Sequence, residues 1–400
     1  MFEGLTALPA DPILGLSAAY KADTNPNKVD LGVGVYKDEQ GNTPVLRAVK
    51  QAEQAYFNTE NTKVYIGPPG SAAANTLLQN LIFGADHAAI KANRVRTIQT
   101  PGGCGSLRDA AELIKKANPS ATVWVSDPTW ANHIPLLGNA GLAIKTYPYY
   151  DHASKSVNFD AMMETLSKVG KGDLVLLHGC CHNPCGADLN QTQWQAVAQL
   201  ALKNGFTPFI DMAYQGFGEG LEQDAYGVRL MANTVPELIV SSSCSKNFGL
   251  YRERAGALSI VYASAADADK GQSNLFSVVR GMYSMPPNHG SAIVETILGS
   301  ATLTAEWHQE LAEMRDRIKA LRALLNKKLI EKGAPGDFNF IEQQSGMFSF
   351  LGINKAQVQS LVQDYSIYLV DSSRINIAGI SLTNVDYLAE SIVAVLKQKD

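Results

Sequence analysis

Short β-rich runs alternate with helical stretches from about residue 120, and chemically active polar residues stand where those runs stop. Hydrophobic residues make up 46% of the 400 residues and charged ones 18%. These observations predict an α/β protein, with a mostly parallel sheet covered by helices and an ordinary globular core. The length exceeds one minimal core and suggests one large domain plus a smaller one.

The elements follow in order. Residues 1–16 are punctuated by Pro and Gly, ending Leu8-Pro-Ala-Asp-Pro-Ile-Leu-Gly-Leu16, and read either as an arm that packs on a partner subunit or as an irregular start. Val29-Asp-Leu-Gly-Val-Gly-Val-Tyr36 lacks the third glycine of a dinucleotide loop, so it is expected to be a strand whose glycines admit a ligand to the backbone. Tyr65-Ile-Gly-Pro-Pro-Gly70 is a turn. Pro101-Gly-Gly-Cys-Gly-Ser-Leu-Arg108 leads into a helical pattern over 107–114; its glycines suit either a tight turn or a phosphate held on free N–H groups.

Strands are expected at Thr122–Ser126, Leu174–His178, Phe206–Asp211 and Leu238–Ser241, with a helix over Trp194–Leu202 and a further apolar run at Leu258–Tyr262. Ligands of such sheets collect at the carboxyl ends of the strands. Asp127, His178, Asn183, Asp211 and Ser241–Lys246 all fall at or just past those ends. One long helix is expected from Glu306 to Lys332, stopped by Gly333-Ala-Pro-Gly336. Strand-like pieces at 348–351 and 366–370 and a closing helix near 384–398 complete a smaller α+β domain.

Composition excludes several classes. A net charge of −4 gives no footprint for nucleic acid or an anionic membrane. No apolar run approaches the roughly 20 residues that span a bilayer. Met1-Phe-Glu-Gly-Leu-Thr lacks the basic start and apolar stretch of a signal peptide, and five cysteines form no disulfide framework, so reduced thiols and a cytoplasmic location are expected. Cys180, Cys181, His182 and Cys185 lack the paired spacing of zinc folds, and no metal is expected.

The chemistry centres on Ser241-Ser-Ser-Cys-Ser-Lys-Asn-Phe-Gly-Leu-Tyr-Arg-Glu-Arg254. Lys246 stands among small side chains, so it can reach a bound molecule. Asp211 ends an apolar strand, where a carboxylate is costly unless a cation or hydrogen-bond donor meets it. Tyr214 follows, and Asn183 is pinned ahead of Pro184. Pyridoxal 5'-phosphate needs a lysine for a Schiff base, an anion to keep its ring nitrogen protonated, donors for its ring oxygen and a phosphate cradle. Lys246, Asp211, Tyr214 with Asn183, and Arg254 with Gly102, Gly103 and Cys104 match these needs. Lys246, once released, can also carry a proton.

Along essentially its whole length the chain resembles the aspartate and aromatic amino acid aminotransferases, within the fold-type I pyridoxal phosphate enzymes. The resemblance rests on Asp11-Pro-Ile-Leu-Gly-Leu16, Leu31-Gly-Val-Gly-Val-Tyr-Lys-Asp38, His178-Gly-Cys-Cys-His-Asn-Pro-Cys-Gly186, Ala213-Tyr-Gln-Gly-Phe217, Ser245-Lys-Asn-Phe-Gly-Leu-Tyr251, Glu253-Arg254, Tyr283-Ser284, Pro286-Pro287 and Arg374-Ile-Asn-Ile-Ala-Gly379. It implies a seven-stranded type of sheet in a large domain over 44–313, a small domain from both chain ends (12–43 and 314–400) and an N-terminal arm over 1–11. It also implies that Arg374 forks the substrate α-carboxylate, helped by Asn183, Trp130 and the backbone of Gly34. Trp130 would stack on the cofactor, His133 and His178 would support the ring-side network, and Ser243 would share the phosphate with Arg254. Tyr65 and Arg280 would come from the other subunit of a homodimer, to the phosphate and to the substrate side chain.

Three positions depart from the family pattern. Cys104 stands where Thr or Ser is usual, Cys185 replaces a threonine, and Met285 replaces a frequent asparagine near Arg280. Val35, Lys37 and Thr43 resemble aspartate-specific members, whereas Val64 and Met285 are apolar where those members often carry asparagine. The expectation is a ping-pong aminotransferase of dual specificity. It would take tyrosine, phenylalanine or aspartate as donor and 2-oxoglutarate as acceptor; the alternative is an aspartate-specific enzyme. A lyase on the same fold is disfavoured by Arg280, and a ligand-sensing module by the intact Lys246, Asp211 and Tyr214 set.

Overall fold

The computed structural model describes residues 1–8 and 12–398. Residues 9–11 of the expected arm, with Asp11 of the quoted string, lie outside the described residues. The chain divides into two compact units, residues 1–43 with 318–400 and residues 44–317. The division falls within the continuous helix Ala301–Glu331.

The larger unit is built on seven strands: β1 (Val95–Pro101), β2 (Thr122–Asp127), β3 (Ala143–Pro148), β4 (Leu174–His178), β5 (Thr207–Met212), β6 (Leu238–Ser243) and β7 (Ala255–Val261). Their order across the sheet is β1-β7-β6-β5-β4-β2-β3. Strand β7 runs antiparallel to both its neighbours, and the remaining pairs are parallel. Strands β6 and β7 are buried at every position, as strands covered on both faces must be. Their serines pay no desolvation penalty, because Ser242 donates to the Ala257 carbonyl at 3.1 Å and Ser241 to the Gly103 carbonyl at 3.3 Å. The helix Gly102–Ala117 turns Leu107, Ala110, Ala111 and Ile114 onto a core with Ile98, Val123, Leu176 and Leu258. The helix Gln191–Asn204 between β4 and β5 has a reciprocal cap from Asn190 and Gln193 and stops at Gly205 in the left-handed region.

The smaller unit holds two short sheets. Val29–Asp30 runs parallel to Ile367–Tyr368, and Phe348–Phe350 runs antiparallel to Arg374–Asn376. The closing helix Val385–Lys397 buries Val385, Leu388, Ile392 and Val395 at helical spacing.

Two local expectations change. The strand expected through Tyr36 stops at Asp30. Beyond it, the carbonyls of Gly32, Val33 and Val35 accept from the side chains of Arg374 and Asn376, so a ladder is replaced by side-chain hydrogen bonds. The helix expected from Leu107 begins at Gly102, so the glycines form its first turn and do not precede it. Among the described residues, no helix is long and apolar enough to cross a membrane.

Arg322 is almost wholly buried and donates to the carbonyls of Ile341, Ser345, Gly346 and Phe348 at 2.6–3.2 Å. One guanidinium thus closes the irregular segment that leads into the Phe348 strand. Arg322→Met removes the donors and leaves several buried carbonyls unsatisfied. It should lower unfolding stability by about 3–5 kcal/mol in urea denaturation. A loss under about 1 kcal/mol would mean that the carbonyls find other donors.

Candidate active site

Register brings the polar strand ends together. His178 on β4 lies opposite Asp211 on β5, and Asp211 lies opposite Ser241 on β6. Ser243 ends β6 beside Gly256 of β7, and Pro101 ends β1 beside Ala255. The carboxyl ends of five strands therefore share one rim, counting β2 with Asp127.

Asp211 is 8% exposed, and its Oδ2 lies 2.9 Å from His133 Nε2. Burial works to raise this carboxyl, but the His133 hydrogen bond above all, with Lys246 as a smaller contribution among others, leaves the group below its ordinary value. The hydrogen bonds behind Asp211 have one consistent direction. The Asn183 N–H donates to His178 Nδ1 at 3.5 Å. Burial above all pushes His178 down to about 3, so it is neutral and carries its proton on Nε2. That proton goes to Thr129 Oγ1 at 3.2 Å, and the Thr129 hydroxyl donates to His133 Nδ1 at 2.8 Å. His133 is left with Nε2–H facing Asp211. Trp130 packs edge-on against His133, with ring centroids 5.2 Å apart.

Lys246 lies over the Tyr214 ring, its Nζ 4.8 Å from the centroid. Burial pushes its ammonium below the ordinary lysine value, against the pull of Asp211. The helix Gly102–Ala117 starts beside it without a side-chain cap, so its first N–H groups remain available to an anion. Gly102 has φ +69°, and a Cβ there would fall 2.5 Å from an Arg254 nitrogen. A Cβ on Gly103 would come 3.2 Å from that of Ser243. Arg254 is braced by Tyr251 O at 2.9 Å and Ser245 Oγ at 3.4 Å. Helix start, guanidinium and serine hydroxyl thus form a cradle that only glycine leaves open. Burial raises the Cys104 thiol above its ordinary value, so it stays a neutral donor.

The remaining expected residues have other surroundings. In the smaller unit, Arg374 stacks on the Phe348 ring at 4.3 Å and donates to Gly32 O at 2.8 Å. A Cβ on Gly34 would come 2.9 Å from Phe348 Cζ, so one ring sets the positions of both. Tyr65 is 86% exposed, and the exposed Arg280 gives its guanidinium to Ser284 Oγ. Those two stand outside the set that the contacts around Lys246 join. Sequence reasoning missed Thr129, although it lies just past β2, where the other polar residues gather. It also missed Phe348 and Asn376, whose types carry no chemical signal on their own.

Residues 26–392 match the aminotransferase class I and II family. The chain belongs to that family. This aminotransferase is 50% identical to an aspartate aminotransferase of Haemophilus influenzae, over 99% of its own chain and all of that protein. It is 44% identical to an aromatic-amino-acid aminotransferase of Paracoccus denitrificans, over 99% of its own chain and all of the other. Among solved structures, the aromatic-amino-acid aminotransferase of Burkholderia pseudomallei, covalently bound to pyridoxal phosphate, superposes with a TM-score of 0.97. That pair is 46% identical, covering 99% of this chain and 100% of the other.

The residues of the aminotransferase fit such a group. The open glycine cradle with Arg254 suits a phosphate, buried Lys246 suits a covalent attachment, and Asp211, held ionised, suits a protonated ring nitrogen. A second cluster has a structural use. Ligand atoms of Cys180, Cys181 and Asp224 lie within 4.8 Å of one another, but Asp224 accepts the backbone N–H groups of Gly216, Gly218 and Glu219 at 2.8–2.9 Å.

Asp109, on the cradle helix, is fully buried and accepts from Tyr283 at 2.5 Å. Burial raises its carboxyl from 3.8 to about 7. A folded value above the unfolded one means that the contribution is fully present below about pH 4 and is lost as pH rises to about 7. Asp109→Asn removes this titration and leaves an acceptor for Tyr283. The variant's Tm relative to the native protein should therefore climb between pH 4 and 7, by the equivalent of up to about 4 kcal/mol. A difference that stays flat across that window would show that Asp109 titrates normally.

Proposed function

We propose that this aminotransferase has dual specificity. It would transfer the amino group of tyrosine, phenylalanine or aspartate to 2-oxoglutarate in a ping-pong cycle with pyridoxal phosphate. The observation that carries the chemistry is a buried lysine over Tyr214, beside a carboxylate held ionised despite its burial. When bound, the cofactor supplies the electron sink that makes the substrate Cα–H acidic. Lys246 would hold the cofactor covalently and, once released, would move the proton at Cα through an Nζ whose depressed value suits a base. Asp211 would keep the ring nitrogen protonated, Tyr214 and Asn183 would donate to the ring oxygen, and Trp130 would stack on the ring. His133 and His178 support Asp211. Gly102, Gly103, Cys104, Ser243 and Arg254 hold the phosphate, with Tyr65 from a partner subunit. Arg374 and Gly34, with Asn183 and Trp130, take the α-carboxylate.

Relatives named for both substrate classes, at 44–50% identity, support the substrate reading. Arg280 suits a distal carboxylate, while Val64 and Met285 lower the cost of an aromatic ring. The deciding measurement is kcat/KM for phenylalanine, tyrosine and aspartate under one condition. We expect all three to lie within about a hundredfold. Aromatic values lower than that, a gap of roughly 2.7 kcal/mol in the transition state, would leave an aspartate-specific enzyme.

The proposal includes a homodimer with shared sites and a cytoplasmic location. Exposed Tyr65 and Arg280 fit residues that serve a partner. Mixed dimers of Arg280→Ala and Lys246→Ala subunits should then recover one working site toward dicarboxylates. Subunit exchange without recovered activity would rule out the shared arrangement.

A further inference from the structure

The strand Arg374–Asn376 alternates, so Arg374 and Asn376 share one face with Ile375 turned away. Asn376 is fully buried, and its amide is saturated. Its Nδ2 donates to Val33 O at 2.7 Å and Val35 O at 2.8 Å, and its Oδ1 accepts the Ala378 N–H at 3.0 Å. Its backbone N–H donates to Leu31 O at 2.8 Å. Two residues of one strand therefore take the carbonyls of Leu31, Gly32, Val33 and Val35.

The consequence falls on Gly34. Its peptide with Val33 is trans, since the cis bonds lie at Asp127–Pro128 and Asn183–Pro184. A trans peptide sends the N–H of one residue opposite to the carbonyl of the residue before it. Drawing Val33 O onto Asn376 turns the Gly34 N–H away from the strand. The Val35 N–H closes the turn on Val33 O at 3.0 Å. Phe348, opposite Asn376 in register, packs against Gly34 from below and carries the Arg374 guanidinium.

We infer that Asn376 is a positioning residue for substrate binding: by clamping Val33 and Val35 it aims the Gly34 N–H as a fixed donor for the substrate α-carboxylate, alongside Arg374. This rests on the carboxylate role proposed above for Gly34 and Arg374. Because every substrate of either half-reaction carries that carboxylate, the effect is blind to the side chain. It belongs to ground-state binding more than to the proton transfer at Cα.

The test uses the pyridoxal-phosphate-loaded protein and two inert ligands, 3-phenylpropionate and maleate, in titrations of the native form, Asn376→Ala and Asn376→Ser. We expect both dissociation constants to rise at least tenfold in Asn376→Ala, and less in Asn376→Ser, which keeps one short donor. KM for phenylalanine and aspartate should rise by a similar factor, with kcat within about threefold and cofactor retention unchanged. Native affinity in a folded variant overturns the inference. So does a loss confined to one substrate class, or failure of both variants to fold, which would make the clamp purely structural. Native protein that binds the carboxylates without transaminating them would instead sink the proposed function and leave the positioning role standing.

Discussion

The hydrogen bond between His133 and buried Asp211 is the constraint on which the larger unit depends. A carboxylate at the end of β5, at 8% exposure, persists in ionised form only with a donor fixed in place. His133 meets that need with Nε2, while Thr129 Oγ1 occupies its other nitrogen at 2.8 Å. Thr129 in turn is oriented by His178, and His178 by a backbone N–H at Asn183. The proton positions are thus set from a main-chain group that has no alternative state. A side-chain relay ending in another side chain would have left two tautomers of similar energy.

The same reasoning explains how much the sequence disclosed. The buried strands were legible because their apolar runs end abruptly in polar residues; Leu174–His178 has the bounds its composition suggests. The placement of Lys246, Asp211 and His178 at strand ends followed from that alone. The glycine-rich segment 31–36 was misread, because alternation of valine and glycine looks like a strand while the hydrogen bonds that hold it come from residues more than 300 positions away. Thr129 joins a near neighbour, His133, to the more distant His178, and Asn376 acts on Val33 and Val35 from the other end of the chain; their residue types are common in turns and strands. No local pattern distinguishes an asparagine that clamps a loop from one that caps a helix, as Asn190 and Asn354 do.

In the smaller unit, one aromatic ring and one buried cation organise the surroundings of Arg374 and Gly34. Arg322 fixes the segment from Ile341 to Phe348 by its carbonyls, and Phe348 then supports both Arg374 and Gly34. Gly34 is required there because any Cβ would intrude on the ring. Rigid support of this kind would lower the entropy lost in the carboxylate binding proposed for these residues, since the donors are set beforehand.

Cys185 illustrates how the framework absorbs a weak donor. Its Sγ lies 3.1 Å from His182 Nδ1 in a fully buried turn. Burial, foremost, raises the thiol far above its ordinary value and pushes His182 well below its own, so a neutral thiol faces a neutral imidazole. The thiol has two neighbours for its one proton, Nδ1 and the Ala187 carbonyl at 3.9 Å, while His182 Nε2 meets Ser126 Oγ at 3.0 Å. A hydroxyl would donate more strongly. The turn does not depend on that bond alone, because Asp188 accepts the N–H groups of Cys181 and His182 at 2.7 and 2.8 Å, and Tyr149 stacks on His182 at 4.2 Å. With charge-assisted bonds fixing the backbone, the turn tolerates a weak donor at position 185.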